Sequence, residues 1–217
     1  MSSCNGGSAA TALLARRLDD TENAILDAAA DCVLAFGVRR TSLSDVARKA
    51  GVSRPTLYRR WPDLKALVAD LMTRELAGVF SRAARDPDRP VSGPVRELAV
   101  AQLLAVARDL RDHPLLSKII QVDPELLLPY IFDRLGTSQR LALGFVTSMI
   151  RAGQHDGSVR DGDAAAMSVT VLLSIQSFVL SGALADSVIS AGQRDAELSI
   201  LLDRYLAPPP ASPGGAR

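Results

Sequence analysis

The segment from Thr41 to Lys65, with the sequence TSLSDVARKAGVSRPTLYRRWPDLK, constrains the fold more strongly than any other part of the chain. Apolar residues recur in it at helical spacing on both sides of Gly51. The small side chain of Ala47 allows two helices to cross closely, and Gly51 tolerates the positive φ of a sharp turn. Pro55 lies in the first turn of the second helix, where a missing N–H group costs nothing. The segment therefore predicts two short helices that meet across a glycine turn, with Leu57 buried in the second.

The rest of the chain also shows helical spacing, and no strand-like alternation persists beyond a few residues. Aromatic residues make up only 4% of the sequence, so the core must be built from Leu, Val, Ile and Ala. We predict an all-α fold, in which an N-terminal group of three helices is joined by a fourth helix to a larger C-terminal bundle. The predicted helices lie at about residues 20–36, 42–51, 53–61, 63–82, 94–111, 114–121, 124–135, 138–154, 163–185 and 189–206. The internal Pro129 is expected to kink or shorten the helix at 124–135.

Residues that favour helix ends mark the limits of the first four helices. Ser42, followed three residues later by Asp45, resembles a capping box with Asp in place of Glu. Pro62 and Asp63 end the third helix and cap the fourth, and Gly37 ends the first. We predict that the first helix buries the side formed by Ile25, Ala28, Ala29, Cys32, Val33 and Phe36. In the same way, Asp123 and Glu125 around Pro124 are interpreted as a helix start and not as paired catalytic acids.

Basic charge is concentrated in the segment of two helices and a glycine turn, which has the pattern of a helix-turn-helix. The whole chain has 25 basic and 24 acidic residues and a net charge of +1, which by itself argues against a general nucleic-acid packaging protein. Residues 39–65 hold eight basic and two acidic residues, so this segment carries +6 and the remainder carries −5. A basic segment in an otherwise acidic chain fits contact with a phosphate backbone.

The predicted contacts with double-stranded DNA follow from the geometry of a helix-turn-helix, whose second helix can enter the major groove. Arg54 can read guanine from the start of that helix, and the carbon atoms of Pro55 and Thr56 can touch a thymine methyl group. Tyr58 and the arginines after it reach phosphates more readily than bases. Trp61 is predicted to pack against the fourth helix and not to stack on a base. The predicted DNA-binding residues are Ser42, Ser44, Ser53, Arg54, Pro55, Thr56, Tyr58, Arg59, Arg60 and Lys65.

Residues 22–70 resemble the DNA-binding head of the TetR/AcrR family of bacterial regulators. The resemblance is carried by Ile25-Leu26-Asp27-Ala28-Ala29, Gly37, Ala47 to Ser53 (an Ala-x-x-x-Gly-Val-Ser core), Thr56-Leu57-Tyr58 and Trp61. One departure concerns the start of the fourth helix, where family members often carry a phosphate-binding Lys. Leu64 occupies that position and Lys65 follows it, although one residue of shift rotates a side chain by about 100°.

The resemblance implies a cytoplasmic transcriptional regulator that forms a homodimer through its last two long helices. A two-fold dimer would bind a near-palindromic operator, and a small-molecule effector would release a repressor from it. The middle helices hold more apolar residues than one face needs, which favours a mainly apolar effector. The candidate pocket residues are Leu103, Gln121, Tyr130, Phe132, Phe145, Met149 and Gln176. The implied domains are a flexible leader (1–17), a helix-turn-helix DNA-binding domain (18–66), an effector-binding and dimerisation domain (67–207) and a disordered tail (208–217).

No set of residues with the spacing of a catalytic triad, a phosphate-binding loop or a metal site stands out in the sequence. His113 and His155 are the only histidines. We therefore expect no enzymatic activity, no metal and no cofactor. Residues 164–185 carry no charge, but six polar residues interrupt them, so we predict a buried helix and no membrane span. Two alternatives remain open: an activator or ligand-independent regulator with the same head, and a small-molecule-binding helical bundle without affinity for DNA.

Overall fold

The computed structural model describes residues 19–84, 93–133 and 135–210, and this part of the chain contains helices and turns but no strand. The α-helices are α1 (Asp20–Phe36), α2 (Leu43–Ala50), α3 (Arg54–Arg60), α4 (Leu64–Ala84), α5 (Val95–Arg111), α6 (Pro114–Val122), α7 (Thr137–His155), α8 (Ala164–Leu180) and α9 (Ala191–Leu206). Short 3₁₀ turns lie at Pro124–Leu126 and Gly182–Ala185, and a π-helical turn lies at Pro129–Asp133. The predicted all-α fold is confirmed. The predicted leader lies outside the described residues, as do residues 211–217 of the predicted tail.

Local side-chain chemistry explains where the first helices begin and end. The Ser42 hydroxyl accepts a hydrogen bond from the Asp45 amide and caps α2, as predicted. The Asp63 carboxylate accepts one from the Ala66 amide at 2.7 Å and caps α4 in the same way. Gly51 adopts φ +67°, the left-handed conformation that ends α2 and that glycine tolerates without strain.

Two predicted helices are corrected. The predicted helix at 124–135 is a 3₁₀ turn followed by a π-helical turn, because Pro124 and Pro129 have no N–H group to donate to a regular helical ladder. A helical turn does start at Pro124, with Asp123 directly before it, but the Asp123 side chain makes no capping hydrogen bond and is fully buried at the end of α6. The predicted helix at 163–185 ends at Leu180, and its last residues form the 3₁₀ turn.

A compact first unit comprises the described residues of Met1–Arg82 and Asp109–Leu141. Its core joins the buried sides of α1, α2 and α3 to residues of α4 and α6. The core residues from these two later helices are Leu67, Leu71, Leu115 and Ile119. Phe36 was predicted to join this core, but its side chain is 60% exposed. It is the last residue of α1, and the chain turns at Gly37 before Val38 re-enters the core.

A compact second unit comprises the described residues of Ala83–Arg108 and Ala142–Arg217. Its core is built by α5, α7, α8 and α9, with Leu103, Val146, Val171 and Leu202 among the buried residues. The two hydrophobic cores thus divide the chain differently from the predicted functional domains 18–66 and 67–207, which stay a prediction. None of the helices that the structure describes is long and apolar enough to cross a bilayer.

Candidate DNA-binding interface

Helices α2 and α3 form the predicted helix-turn-helix. The backbone N–H of Val52 donates to the carbonyl of Ala47 at 3.0 Å, which closes the turn around Gly51. Ser53 caps α3 by accepting a hydrogen bond from the Thr56 amide at 3.3 Å. Leu57 is completely buried, so it holds α3 in the core of the first unit by a single apolar contact face. The opposite face of α3 is consequently turned outward.

The outward face of α3 carries the residues that were predicted to contact DNA. Arg54, Pro55, Tyr58 and Arg59 are exposed. Thr56 is half-buried, and its hydroxyl lies 2.8 Å from that of Ser53, so the cap of α3 also orients this side chain. The arrangement offers guanidinium, hydroxyl and apolar groups along one surface, which are the groups that read base edges and phosphates.

The remaining predicted contacts lie at helix starts beside α3. Ser42 caps α2 and is exposed, whereas Ser44 in its first turn is half-buried. At the start of α4, Leu64 is half-buried and packs against the core of the first unit, while Lys65 is exposed. The two neighbouring side chains thus point to different surroundings. Of the two residues, Lys65 is therefore the one that can offer a charged group to a phosphate.

Arg60 differs from the other predicted contacts because carboxylates from two other helices already hold it. Its Nε lies 2.8 Å from Glu22 Oε1, and its Nη2 lies 3.0 Å from Asp70 Oδ2. The guanidinium also lies over the Trp61 ring, with 5.1 Å between its central carbon and the ring centroid. Sequence reasoning missed this network because Glu22 and Asp70 lie 38 and 10 residues away. Arg60 ties α3 to α1 and α4, and any phosphate has to compete with these pairs.

Trp61 is 1% exposed, and its indole N–H donates to Asp70 Oδ2 at 3.0 Å. The prediction that this residue packs against the fourth helix is confirmed. Because the side chain is almost completely buried in the core of the first unit, with the Arg60 guanidinium over its ring and its N–H bonded to Asp70, it is not available for base stacking.

The basic residues of segment 39–65 fall into two groups. Arg39, Arg48, Lys49 and Arg60 form ion pairs with nearby carboxylates. Within the described part of the chain, no ion pair involves Arg40, Arg54, Arg59 or Lys65, all of which are exposed. This second group keeps its charge free for an external anion such as a DNA phosphate.

Asp45 links the cap of α2 to its electrostatics. The hydrogen bond from the Ser42 hydroxyl, at 2.5 Å, and next the nearby Arg48 guanidinium hold the pKa of the Asp45 carboxyl below its ordinary value. A carboxylate with a lowered pKa in the folded state stabilises that state above the unfolded pKa. Its contribution is lost as the pH falls through the folded-state pKa.

Replacing Ser42 with alanine is expected to lower the free energy of unfolding by about 1 kcal/mol at neutral pH, because the N-cap of α2 is lost. The decrease in stability of the native chain below about pH 4 should become shallower in this variant, since the hydroxyl no longer depresses the Asp45 pKa. Urea denaturation between neutral pH and pH 3 measures both effects. Ser44→Ala is the matched control, and an equal loss in that variant would contradict the capping role.

The predicted effector residues are divided between the two units. Leu103, Phe145 and Met149 pack in the core of the second unit. Gln176 is half-buried and belongs to the same unit. Gln121 and Tyr130 belong to the first unit, where Gln121 is exposed on α6. The side chain of Phe132 lies outside the described ones. No group of three or more metal-ligating side chains occurs among the residues that the structure describes.

Comparison with known proteins identifies this architecture. The family model for bacterial regulatory proteins, tetR family, matches residues 25–71. An uncharacterized HTH-type transcriptional regulator of Mycobacterium bovis is 40% identical over 187 residues, covering 86% of this chain and 95% of that protein. The chain belongs to the TetR family of bacterial regulatory proteins. It is a transcriptional regulator, and α2 and α3 form its DNA-binding helix-turn-helix.

Solved structures of the TetR family share the fold. The R. erythropolis transcriptional repressor QsdR matches with a TM-score of 0.64 at 16% identity, covering 88% of this chain and 96% of that chain. FadR from Bacillus subtilis, in complex with stearoyl-CoA, matches with a TM-score of 0.62 at 16% identity, covering 85% of this chain and 98% of that chain. These matches cover most of the chain and show that it has the fold of these solved regulators.

Proposed function

We propose that this TetR-family regulator is a homodimeric repressor that binds a near-palindromic operator and leaves it when a small, mainly apolar effector binds. The observation that carries the proposal is the outward face of α3, where exposed Arg54 and Arg59, which form no ion pair with the described residues, flank Thr56 and Tyr58. In a regulator with a helix-turn-helix, this face enters the major groove. We further propose that the chain acts in the cytoplasm and has no catalytic activity.

The proposed roles divide the interface into base-reading and phosphate-binding residues. Arg54 reads a guanine, and Pro55 and Thr56 contact an adjacent base edge or methyl group. Tyr58, Arg59 and Lys65 contact phosphates. Ser42, Ser44 and Ser53 complete the interface at the starts of α2 and α3, and Arg60 contributes by exchanging a carboxylate for a phosphate.

The test is a footprinting and gel-shift experiment with the DNA segment immediately upstream of the chain's own gene. The proposal expects a protected site with two-fold symmetry and half-sites about one helical turn, or roughly 34 Å, apart. A protein that binds no duplex at low salt would instead be a small-molecule-binding helical bundle. Protection combined with increased transcription of the adjacent gene would identify an activator.

The proposed dimer uses the exposed apolar faces of α8 and α9. The large apolar residues exposed on these two helices are Val169, Leu173, Ile200 and Leu201. In a two-fold dimer the same surface is used twice, so one face of two helices suffices for a four-helix contact. Ala165 of α8 is small and exposed, so it suits the close approach of two helices in this interface. Ser168 does not, because it is buried and hydrogen-bonded to Thr147.

Replacing Leu173 with glutamate is expected to convert the dimer to a monomer at micromolar concentration, because it places a charge in an apolar interface. The side chain is 55% exposed in one copy, so the fold of the monomer should survive the change. Sedimentation velocity measures the result. The matched control is Leu128→Glu, at an exposed position of the first unit, which should leave the dimer intact. A dimeric Leu173→Glu variant would place the interface elsewhere.

The proposed effector contacts Leu103, Phe145 and Met149 with its apolar part and Gln176 with a polar group. The stearoyl-CoA bound by FadR is an example of a ligand with a long apolar acyl chain in a protein of this fold. The effector must bind the released state more tightly than the DNA-bound one, with a coupling of about 1–3 kcal/mol, or a 5–150-fold change in affinity for DNA. Native mass spectrometry of the purified protein tests for a copurified molecule, whose addition should weaken operator binding.

A further inference from the structure

A carboxylate that lies far from the helix-turn-helix in the sequence is buried beneath the turn between α1 and α2. Asp123 follows α6 and is 0% exposed. Its Oδ2 accepts a hydrogen bond of 2.7 Å from the backbone N–H of Val38, across 85 residues of sequence. The position of Asp123 is well defined, because Leu115 and Ile119 of α6 are buried in the same core as α1.

The turn approaches Asp123 so closely that only glycine fits at its start. Gly37 has φ +82°, and a Cβ atom there would lie 2.9 Å from Asp123 Oδ2 and 2.9 Å from Val122 Cγ1. Both distances are well below van der Waals contact. The backbone of the turn therefore packs directly against the end of α6, and the Asp123 side chain sets the distance between them.

Two hydrogen bonds also link this turn to Thr41, the residue directly before the cap of α2. The Thr41 hydroxyl, which is buried, donates to the carbonyl of Gly37 at 2.8 Å, and the Thr41 amide donates to the carbonyl of Val38 at 3.0 Å. The next residue, Ser42, caps α2. A displacement of the turn would therefore move Thr41 and, with it, the Ser42 cap, which is the first of the proposed DNA contacts.

Charges around the turn give Asp123 a counter-ion but not a second hydrogen bond. Arg39, in the turn, places its Nε 2.6 Å from Glu125 Oε1 and 3.7 Å from Asp123 Oδ1. Within the described part of the chain, Asp123 Oδ1 accepts no hydrogen bond. An apolar side chain of the same shape would avoid the cost of burying this charge. What it could not do is hold the Val38 amide, so the carboxylate contributes position and not merely burial.

We propose that Asp123 is a positioning residue for DNA binding. Its carboxylate holds the turn between α1 and α2 and, through Thr41, places the start of α2 in the position that phosphate contact requires. The inference rests on the DNA-binding function proposed above. Asp123 itself does not touch DNA. Its loss should therefore reduce the discrimination between a specific duplex and a random one, because non-specific binding depends on total charge and tolerates displaced contacts.

The experiment compares Asp123→Asn, which keeps an acceptor oxygen, with Asp123→Leu, which has nearly the same shape and no acceptor. The probes are a duplex that the native protein selects from a randomised pool and an unselected duplex of equal length, measured by fluorescence anisotropy. We expect Asp123→Leu to lose about tenfold in affinity for the selected duplex and Asp123→Asn to lose less than about threefold. Affinity for the unselected duplex should change little in either variant.

Controls separate positioning from stability. Val146→Ala lowers stability in the core of the second unit and should retain native discrimination while folded. A folded Asp123→Leu variant with native discrimination would overturn the proposal. If that variant does not fold, hydrogen exchange of the Val38 amide in Asp123→Asn decides. Protection and affinity that are retained together, or lost together, support the proposal, and a loss of one without the other overturns it. If the native protein selects no duplex, the DNA-binding function itself fails.

Discussion

Replacing Trp61 with alanine is expected to lower the free energy of unfolding of the first unit by about 3–5 kcal/mol. The side chain is almost completely buried, and its removal opens a cavity between α3 and α4. It also leaves Asp70 without the indole N–H and Arg60 without the ring beneath it. Because this is the only tryptophan, unfolding in urea should be followed by far-ultraviolet circular dichroism and not by fluorescence.

Trp61→Phe provides the matched control, since it retains an aromatic ring and removes the indole N–H. Its loss should stay within about 2 kcal/mol, because half-exposed Asp70 can be hydrated by water in its place. A loss below about 1 kcal/mol for Trp61→Ala would contradict the role of this residue in joining α3 to α4. Equal losses in the two variants would assign most of the stability to the hydrogen bond and not to packing.

Replacing Arg54 with alanine should weaken operator binding by about 1–3 kcal/mol and relax the preference at one base position of each half-site. The guanidinium is exposed at the first position of α3, and no carboxylate of the described chain holds it. Selection of binding sites from a randomised pool, carried out with the native and variant proteins, measures both the affinity and the relaxed position. Arg54→Lys should also relax that position, because an ammonium group cannot make two parallel bonds to guanine.

The control for the Arg54 experiment is Arg151→Ala, which removes the same charge from an exposed position of α7. It should change neither the base preference nor the affinity by more than about twofold at physiological salt. If Arg54→Ala weakens binding equally on every sequence, the residue is a phosphate contact. The base-reading role would then pass to Thr56 or Pro55, whose variants can be tested in the same pool.

The helix-turn-helix shows how much of the site was predictable. Its two helices, the Ser42 cap of the first and the positive φ of Gly51 were predicted from local rules, and all of them are present. These features depend on residues within a few positions of one another, so a sequence window contains the relevant chemistry. The same holds for the burial of Leu57 and Trp61, which follows from helical spacing.

Two other elements show where local rules fail. The sequence predicted a helix at 124–135 that Pro129 only kinks or shortens, whereas Pro124 and Pro129 together interrupt the hydrogen bonds of a regular helix there. Phe36 belongs by spacing to the buried face of α1, yet it is exposed because the helix ends there and the chain turns away. In both cases an interruption of the helix, by proline or by the end of the element, outweighed the spacing of the apolar residues.

The sequence by itself determined the all-α class, the helix-turn-helix and the family, because each of these rests on short-range spacing and on charge concentrated in one segment. Only the tertiary structure decided which charges in that segment are free. Arg60 is held by Glu22 and Asp70, whereas Arg54 and Arg59 are not held by any described carboxylate. It also brought Asp123 against Val38. Coulomb and hydrogen-bond energies depend on distance in space, and residues that are 38 or 85 positions apart become neighbours only when the core has formed.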